Sequence, residues 1–236
     1  MSLQVGSLFR VPVEFLSDEQ AAAFGRFTGE PSRAELERYF YLDDADRGRI
    51  ADRRGDHNKL GFAVQLLTVR FLGTFLPDPL DVPWVVVDYV AAQLRVEDPS
   101  VVKKYAQRLP TVHEHAREIR AAYGFRDMAG PAAAELSAFV EARAWTHGER
   151  PMVLFEHATA WLRRERVLLP GVSVLARLVA AVRDRASGRL YASVAEAAES
   201  VDPELPVLLA GLLTVDTGER SSRLEALRAG PTRVSG

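Results

Sequence analysis

Asn58-Lys-Leu-Gly-Phe-Ala-Val-Gln-Leu-Leu-Thr-Val-Arg-Phe-Leu-Gly73 is the stretch whose reading decides the fold. Leu60, Ala63, Val64, Leu67 and Phe71 return every three or four positions, the spacing that lines one side of an α-helix rather than the alternation of a strand. The segment predicts a central core helix with one continuous apolar stripe, ended by Gly73. Upstream, Ser17-Asp-Glu-Gln20 has the form of a capping box and predicts a helix to about Phe27. Pro31-Ser32 opens a second helix through Glu37 to Tyr41, and the cluster Asp43, Asp44, Asp46 starts a third. Downstream, Leu76-Pro-Asp-Pro-Leu-Asp-Val-Pro83 holds three prolines, which forbid a continuing helix and stiffen the connection.

Beyond those prolines, helices are expected at 83–95, 99–107 and 110–123, then at 131–147, 151–167, 172–187, 193–200, 203–213 and 218–229. Alternating β-branched runs are scarce throughout, so the predicted fold class is all-α. The Gly/Pro break in Asp127-Met-Ala-Gly-Pro131 predicts a border between two helical domains, 1–128 and 129–236, with a helix-turn-helix-like element near 99–123.

The 236 residues are 47% apolar, enough to fill sizeable cores. The absence of Cys excludes disulfides, thiolate zinc sites and a cysteine nucleophile. No apolar run approaches the roughly 18 residues of a membrane span, and the N-terminus lacks a secretory pattern. The expectation is a cytoplasmic protein with no membrane partner.

A formal net charge of -2 conceals local clustering. Residues 1–56 are net acidic, with 8 Lys/Arg against 11 Asp/Glu. Between Pro99 and Arg126, Lys103, Lys104, Arg108, Arg117, Arg120 and Arg126 face only Glu114 and Glu118. Between Trp161 and Arg189, Arg163, Arg164, Arg166, Arg177, Arg183, Arg185 and Arg189 face only Glu165 and Asp184. Two basic patches result, the local clustering that a polyanion partner requires.

In the helix expected at 110–123, successive residues turn by roughly 100°, which gathers Val112, Ala116, Ile119 and Tyr123 on one buried face. His113, Arg117 and Arg120 then share a second, free face, with Lys103, Lys104 and Arg108 supplied by the preceding helix and turn. A helix-turn-helix reader needs this arrangement: Arg side chains that reach base edges and neighbouring cations that neutralise phosphates. His113 and His115 read more readily as surface or capping residues than as base readers, and two His at this spacing make a weak metal signal. In the second patch, Arg163 and Arg164 end an apolar helix, where Arg also suits the helix dipole. Arg177 lies outward from a stripe of Leu175, Leu178, Val179 and Val182. Patterning alone favours simple solvation for both patches.

No active site emerges. A glycine-rich phosphate loop, HExxH and GxSxG are all absent, and Gly55-Asp-His-Asn-Lys59 lacks the second Gly and the hydroxyl residue of a P-loop. The Asp43–Asp46 cluster reads as capping rather than a metal site, and Asp56, His57 and Lys59 as a turn before the core helix. No catalytic residue, metal or cofactor is assigned.

Pro12-Val-Glu-Phe-Leu-Ser-Asp-Glu-Gln20, Tyr39-Phe-Tyr-Leu-Asp43, Asn58-Lys-Leu-Gly-Phe62 and Arg70-Phe-Leu-Gly-Thr-Phe-Leu-Pro77 together resemble one family. So do Val102-Lys-Lys-Tyr105, Glu118-Ile-Arg-Ala-Ala-Tyr-Gly124, Arg223-Leu-Glu-Ala-Leu-Arg228 and Gly230-Pro-Thr-Arg233. Over about residues 12–236 the chain is similar to the N-terminal region of the large replicative transposases of the Tn-three family, gamma-delta type. The resemblance implies helical domains that bind double-stranded DNA at the terminal inverted repeats of the transposon. It implies as well that strand cleavage uses an acidic, magnesium-binding triad in an RNase-H-like domain further along, before which this chain stops. The basic patches thereby gain a ligand, with Lys103, Lys104, Arg108, His113, Arg117, Arg120, Arg163, Arg164 and Arg177 as candidate DNA contacts. The alternative is a helical scaffold through which transposase subunits self-associate.

Overall fold

Ser17, Ser32 and Asp43 each start a helix in the same way. Their side chains accept from the backbone N–H of Gln20, Glu35 and Asp46, whose side chains reach back to the N-cap N–H. In the computed structural model, which describes residues 15–202, 204–215 and 222–228, these boxes open α1 (Asp18–Ala23), α2 (Arg33–Tyr39) and α3 (Asp44–Ala51). The first two stop short of Phe27 and Tyr41. After α1 the chain turns through Gly25 at a φ of +69°, and α2 ends where Phe40 turns into the core.

The decisive stretch forms α4 (Asp56–Leu72), and Gly73, left-handed at φ +83°, ends it. The expected single stripe is too narrow a description. Every residue from Leu60 to Val69 is buried, polar Gln65 and Thr68 included, because α4 is ringed by neighbours and has no solvent face. Phe71, expected in the stripe, is only half-buried.

After the prolines come α5 (Trp84–Leu94), α6 (Val102–Ala106) and α7 (Leu109–Tyr123). The helix expected at 99–107 is in fact a 3₁₀ turn, Pro99–Val101, capped by Asp98 and followed by α6. Then come α8 (Pro131–His147), α9 (Pro151–Arg164), α10 (Val172–Val201), α11 (Leu205–Leu213) and α12 (Arg223–Arg228). Helix α9 ends before 167 because Arg166 turns left-handed at φ +53°. The two helices expected at 172–187 and 193–200 are one, since no proline interrupts a run rich in strong helix formers. The helix expected at 218–229 is described only as α12; its other residues lie outside the described residues. The fold is all-α: the described residues contain no strand, only an isolated bridge between Arg126 and Val167.

Compactness separates the chain within α10, into a unit up to Arg183 and another from Asp184. The first unit holds two apolar clusters. One surrounds α4 with Phe40, Leu42, Ile50, Val86, Val90, Val102 and Ile119. The other joins Leu136 and Val140 of α8 to Leu154 and Leu162 of α9 and Leu175 and Val179 of α10. Each fully buried Leu or Val contributes about 1.5–3 kcal/mol relative to exposure. The border expected at 128/129 falls between the clusters, yet the chain crosses between them. Phe15 and Phe24 pack on Phe155 of the second cluster, at 5.9 and 5.3 Å between ring centroids. Leu168 packs against the first cluster, and Leu169 N–H donates to the Gly73 carbonyl at 2.9 Å. In the second unit α11 contacts α12, and Val207, Leu208, Leu209 and Leu213 of α11 are exposed.

Candidate nucleic-acid interface

Helix α7 is held from behind by a polar core. Val112, His115 and Ile119 are buried, whereas Ala116 and Tyr123 are half-buried, so the buried stripe is rotated towards His115. The surface position expected for His115 is therefore corrected. Its Nδ1 lies in hydrogen-bond contact with the Tyr105 hydroxyl at 3.0 Å, its ring stacks on that of Tyr105, and the edge of Phe62 meets it. Arg53 lies 3.5 Å from the Phe62 ring centroid and pairs with Glu118 at 2.6 Å.

Burial, followed by the nearby Arg53 cation, lowers the His115 pKa, against the smaller opposing pull of Glu118 and Glu114. Unfolding would restore a value near 6.5, so the unfolded chain takes up the proton first as pH falls. The contribution of neutral His115 is thus complete above about pH 6.5 and is lost below it. Urea unfolding at pH 7.5 and 5.5 should show a larger stability loss in the unaltered chain than in His115→Gln. Equal losses would show that His115 does not titrate on unfolding.

The opposite side of this element is open. Lys103 and Lys104 of α6, Arg108 in the break before α7, and His113 and Arg117 of α7 are all exposed. Lys103 Nζ lies 5.9 Å from the ring centroid of Trp84, itself exposed. Arg117 has no hydrogen-bond or ion-pair partner among the described residues. Arg120 differs from its expected companions: it is only partly exposed and pairs with Asp127, beyond the helix end at Gly124. The element thus offers five exposed cationic or imidazole side chains and one cation already engaged. Around them, Glu114 is exposed and Asp98 lies close enough to the two lysines to feel both charges.

Residues 15–182 match a protein family described as a domain of unknown function, DUF4158. The chain belongs to the DUF4158 family. Among curated proteins, this DUF4158 chain is 41% identical over 233 residues to the transposase for transposon gamma-delta of Escherichia coli (strain K12), covering 96% of this chain and 22% of that protein. It is 34% identical over 170 residues to the transposase for transposon Tn501 of Pseudomonas aeruginosa, 70% of this chain and 16% of that one. With the transposase for transposon Tn1546 of Enterococcus faecium it shares 29% identity over 210 residues, 89% of this chain and 20% of that one. The chain spans about a fifth of the length of these relatives.

The second basic patch of the DUF4158 chain is more engaged than its sequence suggests. Arg163 Nε donates to the Leu72 carbonyl at 3.1 Å, Arg164 Nε to Glu165 at 2.9 Å, and Arg177 Nε to the Ser173 carbonyl at 3.1 Å. Arg163 and Arg164 line one pocket of about 220 Å³; Arg177, on α10, does not. Two further arginines line it, Arg70 at the end of α4 and Arg166 after α9. Sequence patterning missed Arg70 as a site residue; the local signal was a cation at the end of the mostly apolar run 60–69.

Among the described residues no cluster of three or more His, Asp or Glu has the geometry to hold a metal ion. No described helix is long and apolar enough to cross a membrane. The acidic cluster caps α3 as expected, Asp43 and Asp46 forming a capping box, and Asp46 has a second role: buried at 0% exposure, it takes both terminal guanidinium groups of Arg70 at 2.6 Å.

Proposed function

We propose that this chain is the part of a transposase that recognises transposon-end DNA, reading the terminal inverted repeats with the exposed face of α7. Similarity to the gamma-delta transposase over nearly the whole chain carries this reading. The exposed row of Lys103, Lys104, Arg108, His113 and Arg117 supports it physically. In this reading α6, the break at Gln107 and Arg108, and α7 act as a helix-turn-helix-like unit. The arginines of the second cluster extend the contact along the phosphate backbone. DNA recognition, and no step of strand cleavage, belongs to these residues.

The test is a salt-controlled mobility shift on end duplex and on random duplex. Arg117→Ala should weaken end binding by about 1–3 kcal/mol, the worth of one base-reading side chain, and should affect random duplex less. Arg120→Ala should cost less than Arg117→Ala, because the Asp127 pair already occupies that guanidinium. Lys103→Ala with Lys104→Ala should weaken both duplexes alike and reduce the slope of log affinity against log salt by roughly 0.9 for each phosphate contact removed. End binding that is indifferent to Arg117 would remove α7 from the reading surface.

Self-association is the second reading, favoured by the apolar residues that α11 exposes. Sedimentation that finds a stable dimer without affinity for inverted-repeat duplex would replace DNA recognition with a scaffold.

A further inference from the structure

Three helices end at the pocket lined by Arg70, Arg163, Arg164 and Arg166: α4 at Leu72, α7 at Tyr123 and α9 at Arg164. Helix C-termini carry partial negative charge, so the simplest account of the arginines is capping. Their partners divide the four, however. Arg70 is neutralised by buried Asp46 through two 2.6 Å bonds, and Arg164 pairs with Glu165. Arg163 and Arg166 meet only neutral acceptors among the described residues: the Leu72 carbonyl at 3.1 Å and the Tyr123 carbonyl at 3.0 Å.

A helix end is worth about half a negative charge. Set against the ends of α4, α7 and α9, the two full cations therefore leave about half a positive charge uncompensated. Each guanidinium also keeps donors in reserve, since five are available and one is used. Arg163 bonds through Nε and retains both terminal groups; Arg166 bonds through one terminal group and retains the other and Nε.

The two side chains are positioned rather than loose. A Cβ at Gly73 would stand 2.9 Å from Arg163 Cγ, so the glycine that ends α4 makes room for the arginine shaft. Arg166 sits at φ +53°, a conformation L-residues adopt at a cost, pinned by its N–H on the Arg163 carbonyl and its own carbonyl on Arg126 N–H. Although much of the Arg163 side chain is solvent-accessible, the protein packed about its guanidinium lowers its pKa by desolvation. That is the mark of a cation short of counter-charge.

We propose that this pocket is a phosphate seat, in which Arg163 and Arg166 hold one phosphodiester of the DNA backbone while Asp46-bound Arg70 and Glu165-bound Arg164 form its rim. The assignment rests on the DNA-recognition reading above and narrows its second-cluster contact to one seat made by Arg163 and Arg166. A singly charged tetrahedral oxyanion suits the reserve of forked donors and the sign of the remaining charge.

The experiment compares the full chain with Arg163→Gln/Arg166→Gln and, in case the loss of the Leu72 cap unfolds the double variant, with Arg166→Gln alone. Circular dichroism checks the fold of each. Inorganic phosphate should raise the thermal midpoint of the unaltered chain and leave that of the double variant unmoved. On DNA, the double variant should lose affinity for end and random duplex by the same factor, with the salt slope falling by roughly one; Arg166→Gln should shift both in the same direction. A phosphate effect with an unchanged DNA slope would overturn the proposal, because the pocket would then serve free phosphate. No phosphate effect and no change in slope would overturn it too. If Arg117→Ala weakens end binding while the double variant binds like the unaltered chain, the seat fails and the recognition reading stands. If the unaltered chain binds neither duplex, both fail.

Discussion

Replacing Asp46 by Ala is expected to cost the fold about 3–5 kcal/mol, the penalty for removing one partner of a buried charge pair. The carboxylate is wholly buried and serves four donors: both terminal groups of Arg70 at 2.6 Å, the Tyr123 hydroxyl at 2.8 Å and the Asp43 backbone N–H at 3.2 Å. Burial by itself would raise its pKa, but the Arg70 and Tyr123 hydrogen bonds outweigh it and hold the value below 3.8. Burial and the same hydrogen bond push the Tyr123 phenol up to about 12, so it stays a neutral donor. With a depressed folded pKa, the carboxylate contributes fully above about pH 4 and loses that contribution only as pH falls through the folded value. Urea unfolding at pH 7 measures the loss. A change under about 1 kcal/mol would mean that water replaces the carboxylate at little cost. Replacing both charges, Asp46→Leu with Arg70→Met, should be milder than Asp46→Ala, since an apolar pair leaves no stranded cation.

That pair also marks where sequence reading stops. The features legible beforehand depend on neighbours a few residues apart. The helix starts at Ser17, Ser32 and Asp43 are set within three residues, Gly73 ends α4 by its own φ, and the prolines of 77–83 break the chain where they stand. The sequence marks Asp46 as a cap for the same reason. Its partners Arg70 and Tyr123 lie 24 and 77 residues away, and no periodicity announces them. The same limit applies to the interface. A helical period suffices to expose His113 and Arg117, but Arg120 is claimed by Asp127 across the turn at Gly124. His115 is drawn inward by Tyr105 and Phe62, residues of other helices. Of the arginine pocket, Arg163 and Arg164 were visible as a charge cluster. Arg70 was not, because a cation at the end of an apolar helix looks like a dipole partner until the helices around it are assembled.

Gly61→Ala should reverse the usual sign of that substitution. In an exposed helix interior, Ala gains nearly 1 kcal/mol over Gly, and by that rule Gly61 is a weak point of α4. Its missing side chain is instead where α6 packs. A Cβ at Gly61 would fall on the Tyr105 ring, well inside van der Waals contact. The ring cannot swing clear: Tyr105 is 1% exposed, stacked on His115 and tied to it through the hydroxyl. Overpacking a filled core costs about 1–3 kcal/mol and sometimes more, and this methyl meets a fixed ring rather than a flexible chain end. A net loss of about 2–3 kcal/mol is expected in urea unfolding. Tyr105 belongs to α6 and His115 to α7, so any relief of the clash displaces the two helices that carry Lys103, Lys104 and Arg117. On the proposed reading of α7, end-duplex affinity should therefore fall along with stability, although Gly61 itself is buried. Adding Tyr105→Leu removes the obstructing ring and should restore part of the lost stability. If Gly61→Ala proves neutral or stabilising, α4 and α6 do not approach as closely as described, and the rigid support inferred for α7 goes with that contact.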